Sequence, residues 1–490
     1  MTFSELRQHL TELELLESVI GTLGWDEQTY LPKAGAELRG AQTALLSRLA
    51  HAQQTDPRIE GWLAGLDPSD PIQAACARNL GRSYRRERRV SGELVERLAK
   101  VRSEGFAAWI EAKKSSDFAA FLPTLEQLVA ISIERARAID PARHPYEVLL
   151  EQYDPGTRVE DLRAMFARLR EGLLPLLAAI ATKPVPPKLD APLQESAQWA
   201  FNQKLSGALG YDFDGGRMDP AEHPFSTGHG KGDVRITTHL HETDFLGGLG
   251  STIHETGHAM YEQGLPQEHA GTTVREAASY GLHESQSRFW ENAVGRSRAF
   301  ARFLVPRMKE SFPSLAVDEA RLFASLNRVE RGLIRVTADE VSYNLHIIVR
   351  FELELALFEG TLAAKDVPAA WNEKMQTYLG ITPPNDGLGC LQDVHWSAGL
   401  FGYFPSYTLG NLYAASLGKT MRASIADFDA RVEKGDFAPI LSWLRQHVHQ
   451  VGHLHEAPEI VRMAVGDQDH VENLLAYLWE RMGEAYGVER

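Results

Sequence analysis

His254, Glu255 and His258 form an H-E-x-x-H pattern within Gly247-Gly-Leu-Gly-Ser-Thr-Ile-His254-Glu255-Thr-Gly-His258-Ala-Met-Tyr-Glu-Gln-Gly264. Residues four apart on a helix lie one above the other, so both imidazoles can face one metal ion. Glu255 stands one step round the helix, which puts its carboxylate beside the ion rather than on it. From there it can take a proton from water attacking a carbonyl. Ser251 and Thr252 offer N-caps, and Gly264 with Pro266 ends the helix. The pattern is short and needs a third ligand. Glu284, in Tyr280-Gly-Leu-His283-Glu284-Ser-Gln286, follows His258 by 26 residues on a second helical segment that can pack against the first. Two histidines and a glutamate leave one tetrahedral position open, the mark of a catalytic zinc, although cobalt or manganese suits the same donors. A metzincin is excluded: its third histidine would fall on Gly264 and its glycine on Tyr261.

Amide hydrolysis also needs donors for the oxyanion and the leaving amine. His395, in Gly389-Cys-Leu-Gln-Asp393-Val-His395-Trp396, and Tyr403 and Tyr407, in Gly402-Tyr403-Phe-Pro-Ser-Tyr407, have the right chemistry. The competing reading for each is a satisfied core side chain. Asp339 and Asp393 are acceptors that could hold a ligand imidazole in one tautomer, against the plainer roles of capping a helix or pairing with arginine. His239 and His241, and the group His447, His449, His453 and His455, lack carboxylate or thiolate partners at a diagnostic spacing and read as non-metal histidines.

The elements that must position these groups are mostly helical. Thr2-x-x-Glu5 is a capping box, followed by Phe3, Leu6, Leu10 and Leu13 at helical spacing. Further helices are predicted over 37–50, 92–113, 160–181, 273–294, 317–330, 340–360 and 470–486. Asp233 to Leu240 reads as a strand, with Val234, Ile236 and Thr238 alternating with polar residues, so a small sheet is expected there. The proline-rich stretch 182–192 cannot continue the preceding helix and marks a candidate junction between two lobes.

The chain has 490 residues, two cysteines and a formal net charge of −15, a balance that disfavours nucleic acid as a partner because phosphate binding needs an excess of Lys and Arg. Scarce cysteine fits a reducing, cytoplasmic setting. The first residues carry acids where a secretory or transit peptide would not, and no apolar run approaches membrane-spanning length. No membrane partner is expected.

Taken in order, His223-Pro-Phe225, Asp233-Val-Arg235-Ile-Thr237, His254-Glu-Thr-Gly-His258, His283-Glu284-Ser-Gln286, Ile334-Arg-Val-Thr-Ala-Asp339 and Gly389-x-x-Gln392-Asp393-x-His395-Trp396 resemble the successive signatures of the carboxypeptidase Taq family of metallocarboxypeptidases. The resemblance extends to Trp25–Pro32 and to Trp443–His449, so it covers essentially the whole chain. It implies a mainly α, two-lobed helical metallopeptidase with a deep central cleft and a small sheet near the active site, similar to neurolysin and angiotensin-converting enzyme. It further implies one peptidase domain over 1–490, a homodimer, and release of single residues from peptides with a free C-terminal carboxylate, with broad specificity and poor action at proline. An oligopeptidase or dipeptidyl carboxypeptidase on the same fold is the alternative. By motif, His254, His258 and Glu284 become the metal ligands and Glu255 the general base. Arg350 becomes the first choice to bind the substrate carboxylate, because the family carries an arginine in this helix and a guanidinium can bind a carboxylate through two parallel bonds. Arg235 is its rival, and an intrahelical pair with Glu354 is the plain alternative.

Overall fold

The computed structural model describes residues 2–189, 192–230 and 232–490, so Asp190 and Ala191 of the proline-rich stretch lie outside the described residues. Helices dominate, and the chain divides into two compact units, each assembled from three stretches. The first takes Met1–Glu87, Lys188–Leu326 and Tyr413–Gln468; the second takes Arg88–Pro187, Asn327–Leu412 and Asp469–Arg490.

The first unit opens on the Phe3–Thr29 helix, whose Thr2 and Glu5 exchange the two bonds of the capping box. Leu6 and Leu10 of that helix pack with Ile59, Trp62, Leu80 and Tyr84 into one core cluster, which draws the spacing read in the sequence into tertiary contact. The sheet belongs to this unit. Strands β1 (Gly216–Pro220), β2 (Ser226–Gly228) and β3 (Val234–Thr238) lie in the order β1-β3-β2, with β1 parallel and β2 antiparallel to β3. The expected strand is therefore the central one. Val234 and Ile236 are buried as the alternation requires, and Thr238 is buried too because its hydroxyl meets that of Thr252, 2.9 Å away on the next helix.

That helix runs Phe245–Glu262 and starts earlier than the N-caps read in the sequence. Its cap is Asp244, which accepts from the Gly247 amide; Ser251 and Thr252 lie inside the helix, where Thr252 bonds back to the Gly248 carbonyl. The predicted helix over 273–294 is also broken. Thr273–Arg275 makes a 3-10 turn, the Tyr280–Arg288 helix starts only where Ser279 caps it, and Phe289–Val294 continues as a π-helical turn.

The second unit is built round the Tyr343–Glu359 helix, which is buried on nearly every side. Phe351 lies 4.6 Å from the Phe166 ring and 6.0 Å from Tyr146, between centroids. His346, Arg350 and Glu354, four apart, form a polar stripe through this interior with no exposed surface. The two ionisable groups of opposite sign in it are each held by hydrogen bonds, which offsets the cost of burying them. Glu354 accepts from the Tyr146 hydroxyl, the Trp396 indole and the Gly402 amide.

Candidate metal centre

The Phe245–Glu262 helix puts His254 and His258 on one face, and the Tyr280–Arg288 helix packs against it. Gly257 sets how close that packing is: a Cβ there would stand 2.7 Å from Ser287 Cα and 2.8 Å from the Gln286 carbonyl oxygen. With only hydrogen at that position the two backbones meet, and Glu284 reaches both imidazoles. Its Oε2 lies 3.5 Å from His254 Nε2 and 3.3 Å from His258 Nε2. Donors about 2.1 Å from a tetrahedral ion stand roughly 3.4 Å from one another, so the spacing and the His, His, Glu chemistry both fit such an ion. Among the described residues, this trio is the group of His, Cys, Asp or Glu close enough to hold one.

The outer faces of the trio are also held. His254 Nδ1 lies 2.8 Å from Glu291 Oε2, and His258 Nδ1 lies 2.6 Å from His283 Nδ1. Arg288 donates to Glu284 Oε1 at 2.6 Å, and the Ser287 hydroxyl donates to Glu284 Oε2 at 3.0 Å. Arg288 and Arg296 both bond Glu291, which offsets the cost of burying two carboxylates beside each other.

These surroundings shift each group in a definite direction. Burial, with His283 beside it, holds the His258 imidazole down to about 3, so it is neutral, the form in which an imidazole can bind a metal. Burial also opposes charge on His254, but Glu284 and Glu291 outweigh it and raise that imidazole. Glu284 lies well below the usual carboxylate range: burial would raise it, and Arg288 and the two histidines overcome that. Glu291 falls to about 2, burial again being outweighed by Arg288 and by His254. Glu255 is buried with no arginine beside it, and burial outweighs His254 and His283 to lift it to about 7, where a carboxylate can both take and return a proton.

Arg235 lies on β3 in the same unit, bonded to Asp233 through Nε and Nη2 and stacked 4.3 Å over the Trp25 ring. The remaining candidates lie in the second unit. His395 Nε2 meets the Tyr407 hydroxyl at 3.2 Å, and the Tyr403 ring lies 5.4 Å from the imidazole and 5.3 Å from Tyr407. Burial brings the His395 imidazole down to about 3 despite the attraction of Asp393.

Three sequence expectations need correction. Arg350 offers no surface to a substrate: it is 0% exposed, and each guanidinium nitrogen is engaged, Nε with Asp393, Nη1 with the His346 carbonyl and Nη2 with Gln392. Its partner is not Glu354 either. Asp393 is the anion between Arg335 and Arg350, and those two guanidiniums outweigh burial to hold it far below the carboxylate range. Asp339 caps the turn before the Tyr343–Glu359 helix, accepting from the Val341 and Ser342 amides and the Ser342 hydroxyl. The imidazoles of His254 and His258 are met instead by Glu291 and His283. A signal for Glu291 was present, since it follows Glu284 by seven residues and Arg288 by three, on the ligand's own helix face. The other histidine groups take structural partners. His239 bonds the Ala221 carbonyl, and His449 bonds Gln286.

Comparison with known proteins shows the family of the chain. Residues 5–482 match the carboxypeptidase Taq (M32) metallopeptidase family. The chain is 42% identical to thermostable carboxypeptidase 1 of Thermus thermophilus, over 99% of this chain and 100% of that one. It is 36% identical to carboxypeptidase 1 of Bacillus subtilis, over 97% of each. The crystal structure of the M32 carboxypeptidase from Deinococcus radiodurans R1 superposes with a TM-score of 0.97, at 36% identity and 99% coverage of both chains. With its mainly α fold, its small sheet and a donor trio suited to a divalent ion, this chain belongs to the carboxypeptidase Taq (M32) family of metallopeptidases.

Proposed function

We propose that the chain is a zinc-type metallocarboxypeptidase that releases single residues from the free C-terminus of peptides, with broad side-chain tolerance and poor action at proline. The observation that carries the reading is the trio His254, His258 and Glu284 with the buried carboxyl of Glu255 on the same helix. A divalent ion bound there supplies Lewis acidity to the scissile carbonyl and acidifies water. Glu255 takes the proton of the attacking water and passes it to the departing amine, a shuttle suited to a carboxyl raised to about 7. His395 and Tyr407, paired through one hydrogen bond, are the side chains assigned to charge developing on the substrate oxygen, with Tyr403 packed on both rings. With Arg350 engaged, Arg235 takes over the assignment to the substrate carboxylate. Its substitution by alanine should raise KM for free-carboxylate peptides more than for amidated ones, and equal losses would remove it.

Glu255→Gln should abolish hydrolysis while one ion per chain stays bound; surviving turnover would refute the general-base role. Mass spectrometry of a defined peptide tests the product class, with single-residue ladders supporting the reading and two-residue or internal cuts pointing to an oligopeptidase or dipeptidyl carboxypeptidase. Metal analysis of protein purified without added ion distinguishes zinc from cobalt or manganese.

A homodimer is proposed with this activity. It is supported by Leu15, Val19, Leu38, Leu45 and Leu49, exposed side chains of the neighbouring Phe3–Thr29 and Ala36–Gln54 helices. Sedimentation equilibrium should return twice the 54.5 kDa chain mass, and a monomer would refute it. Two free, buried cysteines suit the proposed cytoplasmic location, which cell fractionation would check.

A further inference from the structure

We infer that Glu262 and His283 form a proton-ordering relay that holds His258 in its metal-binding tautomer, so that His283 is a positioning residue for the hydrolytic site. The inference rests on the reading of His258 as a ligand and goes one step behind it. Three groups stand in a row: Glu262 Oε1 lies 2.9 Å from His283 Nε2, and His283 Nδ1 lies 2.6 Å from His258 Nδ1.

Proton placement in this row follows from what each end can do. A carboxylate only accepts, so the Nε2 of His283 carries its hydrogen. In that tautomer His283 has a lone pair on Nδ1, and the short contact requires that His258 Nδ1 carry the hydrogen between them. His258 Nε2 is left as a lone pair, and this is the nitrogen 3.3 Å from Glu284 Oε2. The reverse order would put the hydrogen of His258 on Nε2, pointing at Glu284 and closing that nitrogen to a cation. Orientation therefore passes from Glu262 through one imidazole to the next.

The architecture holds both ends of the row. Glu262 is the last residue of the Phe245–Glu262 helix, one turn beyond His258, and its carboxylate lies against Gly228 of β2, where a Cβ would come within 2.8 Å of Oε2. His283 precedes the ligand Glu284, and its ring stands edge-on to Tyr261, with centroids 5.2 Å apart. The two ligand histidines are thus oriented differently. His254 meets the carboxylate of Glu291 directly, whereas His258 reaches one only through His283.

The test is zinc affinity of the full chain, read by competition with a chromophoric chelator and therefore independent of turnover. His283→Leu removes the acceptor and should weaken zinc binding about 10–100-fold, the usual cost of losing a group that orients a ligand. His283→Asn places an amide oxygen where Nδ1 stood and should recover most of that loss. Equal losses in the two variants, or none in either, would overturn the relay. If His283→Leu fails to fold, Glu262→Ala against Glu262→Gln makes the same comparison, with the glutamine still accepting from His283 Nε2. Unchanged affinity in both would again refute it. A wild-type chain that takes up no zinc would overturn the ligand assignment itself, whereas normal wild-type uptake with unaffected variants overturns the relay alone.

Discussion

Arg350→Met is the substitution that most directly separates a buried structural arginine from a substrate anchor. Methionine roughly follows the stem of the side chain and keeps the apolar packing while deleting the guanidinium. What is lost can be counted: the bond to Asp393 Oδ2 at 2.7 Å, the bond to Gln392 at 2.7 Å and the bond to the His346 carbonyl at 2.7 Å. Arg335 still holds Asp393 Oδ1, so the aspartate is not wholly unpaired, and Gln392 Oε1 keeps the Arg335 amide, but one buried carboxylate oxygen loses its donor. Breaking a buried pair from one side costs about 3–5 kcal/mol. In a unit of roughly 200 residues, about 2–4 °C of melting temperature goes with each kcal/mol, so a fall on the order of 10 °C is expected. Calorimetry supplies the measurement. Asp393→Asn in the same background should cost much less than it does alone, because the two side chains share one interaction. A melting temperature within about 2 °C of wild type, smaller than one kcal/mol would produce, together with a selective rise in KM for free-carboxylate peptides, would refute the reasoning and return Arg350 to the substrate.

Gly257→Ala should force the two ligand-bearing helices apart, at a cost of about 1–3 kcal/mol for an overpacked contact, and should reduce zinc retained after dialysis; wild-type retention would show that the close approach is not needed. Tyr407→Phe keeps the ring and deletes the hydroxyl that meets His395, so kcat should fall with metal content unchanged, and an unaltered kcat would remove Tyr407 from the chemistry. Burial raises Glu354 to about 7, with the bonds from Gly402, Tyr146 and Trp396 only partly opposing it, so the folded chain holds that proton more tightly than the unfolded one. Stability from this group is therefore full below about pH 4.5 and declines as pH rises to about 7, by roughly 3 kcal/mol. Glu354→Gln should flatten that part of the profile in denaturant titrations at pH 5 and pH 8, and parallel wild-type and variant profiles would contradict the assignment.

The sequence alone determined the parts of this protein that depend on local geometry. A four-residue spacing on a helix brings His254 and His258 to one face whatever surrounds them, and the alternation of Val234 and Ile236 marks a strand. The capping box at Thr2 and Glu5 is likewise settled within four residues. Only the tertiary structure decided which partner each polar side chain would find, because a buried charge is satisfied by whatever group the fold brings opposite it. Asp339 and Asp393 were legible as acceptors, with a cap and an arginine pair as their plainer roles, but not which of the two would cap and which would stand between two arginines. Arg350 was legible as a helix arginine, but its burial depends on Asp393, forty-three residues away along the chain. The same holds for the candidate metal centre: His254, His258 and Glu284 stand in the motifs, while the groups behind them, Glu291, Arg288, His283 and Glu262, came into place only when two helices met at Gly257.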